Sequence, residues 1–141
     1  MIENQFGKFE IKTGVGRGLL VPTQKIEPGS AFPEELDHFK VYRLAEVIQL
    51  PGATLQLRDQ FGREEVKLYY PQFFAVPVMK KYNDRTYEIH NKAAHLLIVS
   101  VTNKRLDRKI NIKNQFGRLS IRVVNSLGLG VPCVKHEWKM L

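Results

Sequence analysis

The sequence predicts an all-β domain: a pseudo-repeat barrel or sandwich of about eight to ten short strands with little helix. Three observations carry that expectation. A 22-residue block recurs without gaps at 4–25, 59–80 and 114–135, its starts 55 residues apart. Around it, apolar and polar residues alternate with the period of a strand that buries one face. No segment longer than ~10 residues keeps a 3.6-residue apolar period without a Gly or Pro interruption.

The block fixes the elements in order. All three copies share Gln-Phe-Gly (Gln5, Phe6, Gly7; Gln60, Phe61, Gly62; Gln115, Phe116, Gly117), then Val-Pro (Val21, Pro22; Val76, Pro77; Val131, Pro132), then Lys25, Lys80 and Lys135. Asn or Asp ahead of the triplet initiates a turn through its side-chain acceptor, and Gly takes the positive φ of a tight reversal. Phe6, Phe61 and Phe116 are expected to fold back as corner plugs in the core. Val-Pro forces an extended exit, and the missing proline N–H suits a strand end or edge.

A second echo runs from His38 (HFKVYRL) and from His95 (HLLIVSV), 57 residues apart. Before the second turn Leu55 and Leu57 alternate with polar residues, and after it Val66, Leu68 and Tyr70 do. Around the third turn the apolar positions are Ile110 and Ile112, then Leu119, Ile121 and Val123. Residues 34–50 look helical at first sight, but Phe39, Val41 and Tyr42 match the strand echoed at 95–101. Segments 29–37 and 80–86 read as connecting loops. The whole chain, 1–141, is therefore expected to be a single β domain of a partial repeat (4–25) and two full repeats (26–80 and 81–135).

Composition narrows the class. Hydrophobic residues at 43% and charged residues at 26% exclude wholesale disorder. Nothing approaches ~20 uninterrupted apolar residues, so no membrane span is expected. The net charge of +8 is concentrated: residues 101–141 hold nine Lys and Arg against only Asp107 and Glu137. Cys133 stands alone, so no internal disulfide forms. The N-terminus MIENQFGKFEIK shows no apolar core of an export signal.

The words LLVPTQK, LDHFKVYRL, VKLYYPQFFAVPVMK, AAHLLIVSV, NQFGRLSIRVV and LGLGVPCVK resemble an uncharacterised β-rich repeat domain family, a domain of unknown function. It occurs, often in tandem, in large and mostly exported bacterial and archaeal proteins. The resemblance covers nearly the whole chain and implies a β fold with no established activity and no catalytic residues. Members usually carry cysteine immediately before the Val-Pro step and inside the His-initiated strands. Here those positions are Ala75, Gly130, Val41 and Ile98. The resemblance thus implies an exported protein, whereas the absent cross-links point to a reducing compartment or a virion-like particle.

The strongest candidate site is the basic hairpin 104–122. Lys109 and Lys113 share one strand face, and Arg118 and Arg122 share the next, because alternate residues lie on one side. In the first two copies an acid separates two bases (Lys8, Glu10, Lys12; Arg63, Glu65, Lys67). In the third, Ser120 replaces it. With Lys104, Arg105 and Arg108 this makes an unpaired cationic stripe for phosphate backbones or an acidic partner.

Other constellations carry less. His38 and His95 are expected to be strand-start histidines bonded to backbone, since no metal-ligand spacing accompanies them. Asp37 beside His38 lacks a nucleophile-elbow serine. The glycines of TGVGRG have the wrong spacing for a dinucleotide fingerprint. Glu34 and Glu35 have no partner acid, and Cys133 reads as a buried small residue. No catalytic, cofactor or metal residue is therefore expected. The expected function is that of a non-enzymatic structural or assembly module of a cell surface, filament or particle. A homo-oligomer or larger protein assembly is the expected partner. The alternative is a polyanion- or nucleic-acid-binding module using 104–122.

Overall fold

The computed structural model describes residues 2–4, 7–9, 13–46, 52–102 and 105–135. Among them lie thirteen strands and no helix. They are β1 (Ile2–Asn4), β2 (Gly7–Phe9), β3 (Thr13–Leu20), β4 (Gln24–Lys25), β5 (His38–Leu44) and β6 (Thr54–Asp59). There follow β7 (Gly62–Val78), β8 (Lys80–Tyr82), β9 (Arg85–Tyr87), β10 (His95–Val101), β11 (Arg105–Asn114), β12 (Gly117–Asn125) and β13 (Gly128–Lys135). The expected all-β class is what the chain adopts.

Eight strands make the main sheet in the order β2-β1-β13-β10-β7-β5-β3, with β6 added beside β7. A second sheet runs β12-β11-β4, and β8 pairs only with β9. Every pairing is antiparallel. The sheets stay open, so of the two architectures expected the barrel is not formed. At the ends of the path, β2 has three residues and is engaged by β1, while β3 has eight and is engaged by β5.

The central rows follow the repeat. Block strands β3, β7 and β13 alternate with the His-initiated strands β5 and β10, so each full unit contributes one strand of each kind and the partial first unit contributes β3 alone. The core lies on one face: Leu44, Val66, Leu68, Phe74, Leu97, Val99, Val101, Val131 and Cys133 are buried together. Each such aliphatic side chain contributes about 1.5–3 kcal/mol relative to exposure.

Strand β7 needs two adjustments to serve this core over 17 residues. Its partners on β10 shift between Ile98 and Val99 and again between Val99 and Val101. Each shift inserts one extra residue into β7, as in a β-bulge. Buried positions therefore step by three, from Phe74 to Pro71 to Leu68, before returning to two at Val66. Pro71 sits at the first shift, where a residue without an N–H costs no ladder bond. Side chains mend the interruptions: Tyr70 N–H donates to Ser100 Oγ, Ser100 Oγ donates to the Tyr70 carbonyl, and Lys67 N–H donates to Thr102 Oγ1.

The shared turn is local chemistry repeated. Asn4 pairs with Gly7, Asp59 with Gly62, and Asn114 with Gly117, so the three hairpins have one register. Asp59 Oδ1 accepts from Phe61 N–H at 2.7 Å, and Asn114 Oδ1 from Phe116 N–H at 2.8 Å. Gly62 and Gly117 take φ of 133° and 118°. Segment 80–86, expected as a loop, is instead the β8–β9 hairpin. Asn83 and Asp84 both adopt positive φ, the two-residue turn that matches strand twist.

The cysteine positions of the resembled family also acquire a geometry. Val41 pairs directly with Ala75, and Ile98 with Gly130. Directly opposed residues lie ~4.5–5.5 Å apart at Cα, within the span of a disulfide. This chain fills the first pair with two buried apolar side chains.

Candidate functional site

The basic hairpin becomes a ribbon of β11 and β12 whose register sorts its residues. Lys109 faces Arg122, Asn111 faces Ser120, and Lys113 faces Arg118, placing four cations on one side. Ile110 faces Ile121 and Ile112 faces Leu119 on the other. Arg108 opposes Val123 in the same register and, being adjacent to Lys109, lies on the alternate face beside Ile110, while Arg105 opposes Asn125 beyond a register shift. Lys104 lies outside the described residues.

One sequence expectation is corrected by this geometry. The stripe is not wholly unpaired, because Arg122 grips Asp107 with two bonds, Nε to Oδ1 at 2.6 Å and Nη2 to Oδ2 at 2.8 Å. That contact holds the Asp107 carboxyl below its ordinary range and raises the guanidinium. The acid missing at Ser120 is thus supplied across the ribbon. Lys109, Lys113 and Arg118 remain as the stripe's cations.

The second correction concerns the other side. No residue of β11 or β12 is buried: Ile110, Ile112 and Val123 are half-covered, Leu119 is 51% exposed and Ile121 36%. In the second copy, the equivalent of Ile121 is Val66, only 1% exposed, and Leu55 and Leu57 pack on the same core. The cause is strand continuity. From its turn, β7 runs unbroken into the main sheet, whereas β12 ends at Asn125 and β13 begins only at Gly128. The ribbon instead pairs through β11 with β4, Ile112 opposite Lys25 and Lys113 opposite Gln24, and Ile26 N–H donates to the Asn111 carbonyl at 2.8 Å.

Nor is Phe116 a core plug. It is 56% exposed and meets the edge of Tyr82, ring centres 5.4 Å apart, with Lys80 Nζ 5.2 Å from its centre. Phe61 is half-buried, and Phe6 lies outside the described residues. The turn puts Phe where it can reach a neighbour, and beside this ribbon that neighbour is the β8–β9 arm, not the core.

The histidines start strands as expected, and both are buried. His95 Nδ1 bonds the Ala93 carbonyl at 3.0 Å, and its ring stacks on Phe74. His38 differs: its Nδ1 has no partner, and its ring lies tilted against Tyr87 at 4.7 Å. Asp37 is a structural clasp, accepting from His90 N–H at 2.6 Å and Asn91 N–H at 3.0 Å. Burial pushes the Cys133 thiol up to about 11, which leaves it protonated at neutral pH. Glu34 and Glu35 are exposed in their loop. Among the described residues no three His, Cys, Asp or Glu side chains cluster as metal ligands, and no helix is long and apolar enough to cross a membrane.

These features define an all-β module in which one hairpin-and-strand unit is used repeatedly. The chain belongs to the family described as a repeat of unknown function (DUF7450), whose model matches residues 1–132. Neither the curated proteins nor the solved structures gave a match.

Sequence reasoning missed one grouping. Residues 32–38, 85–90 and 113–115 converge on a cleft with His38 in its wall. Nothing in the local patterns links these segments, since β4 pairing with β11 is what brings them together.

Proposed function

We propose that this chain is a non-enzymatic assembly module whose third-copy ribbon docks on a second copy of the same chain, as a building unit of a surface layer, filament or particle. The observation that carries this reading is the uncovered apolar side of β11–β12. In the second copy the matching side is covered by Leu44 from the preceding His-initiated strand and by Val99 and Val101 from the following one. The surface complementary to such a ribbon is therefore another unit of this repeat, and a neighbouring copy supplies one. Strand β12 also presents an unpaired edge among the described residues, which invites strand addition.

Sedimentation equilibrium tests this. The parent chain is expected to self-associate as concentration rises, and Leu119→Glu with Ile121→Glu to yield a folded monomer. A parent that stays monomeric at all concentrations overturns the reading.

A second reading is favoured by Phe116, exposed beside Arg118 and Lys113: cations with an aromatic platform are what single-stranded nucleic acid uses. Binding of an oligonucleotide that falls steeply with salt, and is lost in Lys113→Glu with Arg118→Glu, would support it. Equal binding by parent and variant would end it.

A further inference from the structure

A cleft of about 660 Å³ opens between the segment after β3, the β8–β9 arm and the β11–β12 turn. That volume falls among small-ligand sites, which span ~300–1,000 Å³. Its lining mixes apolar surface, from Pro22, Phe32, Pro33 and Tyr87, with the polar groups of His38, Arg85 and Gln115.

Unpartnered polar atoms gather here. Among the described residues the buried side-chain nitrogens and oxygens without a hydrogen bond are His38 Nδ1, Lys80 Nζ and both amide atoms of Gln115. Two of these three side chains line the cleft. The third, Lys80, approaches the cleft-lining Tyr87, its ammonium 5.1 Å from the ring centre. Leaving a buried donor or acceptor unmade costs ~1–3 kcal/mol, so native structures keep such atoms for a reason. His38 is the strongest case, being 5% exposed.

The charge around these atoms has a sign. Burial lowers the His38 pKa first, and Lys80, Arg85 and His90 push it further down. Asp37 alone opposes them, and both its oxygens are engaged by backbone N–H groups. Lys80 Nζ lies over the rings of Tyr82, Tyr87 and Phe116 at 5.8, 5.1 and 5.2 Å and has no hydrogen bond among the described residues. Arg85 adds its guanidinium over Tyr87 at 4.7 Å, and Lys113 lines the same cleft. Glu34 and Glu88 also line it, and both are exposed to solvent.

We propose that this cleft binds an acidic peptide segment, the carboxylate meeting Arg85 and Lys113, which both line it, while Gln115 pairs with a peptide amide. A carboxylate supplies the acceptor that the cations lack. An amide offers one donor and one acceptor, matching both free atoms of Gln115. The apolar surface takes the aliphatic stem of a glutamate. The inference is separable from the ribbon's self-association, because the ribbon lends the cleft its turn end, Lys113 to Gln115, and not the apolar side of Ile110, Ile112, Leu119 and Ile121.

The test is an amide-resolved NMR titration of the chain at constant ionic strength. The probes are N-acetylated, C-amidated tetraglutamate, the matching tetraglutamine and inorganic phosphate. Tetraglutamate is expected to cause saturable shifts at the Gln115 side-chain amide and at residues 86–88. Arg85→Gln, an exposed change, should weaken that binding several-fold, and Arg85→Gln with Lys113→Gln, both exposed, should abolish it. Should the double variant not fold, the Arg85→Gln result decides alone. Absence of saturation, equal shifts with tetraglutamine or phosphate, or unchanged affinity in Arg85→Gln would overturn the proposal.

Discussion

The hairpin around Phe61 and the one around Phe116 share a turn, a register and an alternation of side chains, yet only the first has its apolar side covered. Their reversals are equally well made: each has an Asx side chain bonded two residues on and a glycine of positive φ. They diverge after the second strand. Tyr69-Tyr70-Pro71-Gln72 keeps β7 in the main sheet through two bulges, while Ser126 and Leu127 separate β12 from β13. The comparison teaches that a repeat word specifies how the chain turns but not what the turned piece rests on. Coverage is decided by neighbours, and the third copy has fewer of them.

The comparison breaks most visibly under charge. Val66→Asp buries an uncompensated acid and should cost roughly 4 kcal/mol or more, leaving the chain largely unfolded in a urea titration. Ile121→Asp, at the equivalent position of the free ribbon, should leave the unfolding midpoint close to the parent's. Similar losses at both sites would show that the ribbon is as covered as its counterpart.

Cross-linking sharpens the register. Val41→Cys with Ala75→Cys, and separately Ile98→Cys with Gly130→Cys, should oxidise readily. Each should raise stability by about 2–4 kcal/mol if strain is small. Failure of either pair to oxidise would displace the strand alignment on which the equivalence of the copies rests.

The smallest effect is electrostatic. Arg122→Ala should let the Asp107 carboxyl titrate upward towards its ordinary range, as read by side-chain NMR. The sign follows from the pairing: the Asp107 pKa is depressed in the fold, so the ion pair's contribution is present above the usual carboxylate range. It is lost as pH falls through the folded value. An unchanged titration would mean that Arg122 is free to serve a ligand.

What the sequence made legible was local. Asn114, Gly117 and the period-two runs announced the hairpins, and His38 and His95 marked the starts of β5 and β10. Pro22 follows the end of β3 and Pro77 is the last residue but one of β7, at strand ends as expected. Pro132 instead lies inside β13, opposite Leu96, in a strand flanked by β10 and β1. Even the β8–β9 turn had a readable cue in Asn83-Asp84. Other features depended on distant partners. The exposure of Phe116 follows from the swing of the ribbon towards β4. The neutralising of Arg122 needs Asp107 from across the hairpin, and the cleft needs three segments far apart in the chain. Alternation showed which residues share a side of β11–β12, but it carries no information on whether that side is covered.

Hydrogen–deuterium exchange across a dilution series tests the central claim most directly. The account predicts that amides of 106–112 and 119–123 are protected when the protein is concentrated and lose protection on dilution, while those of 55–68 stay unchanged. Protection of the third-copy ribbon that does not vary with concentration would contradict it.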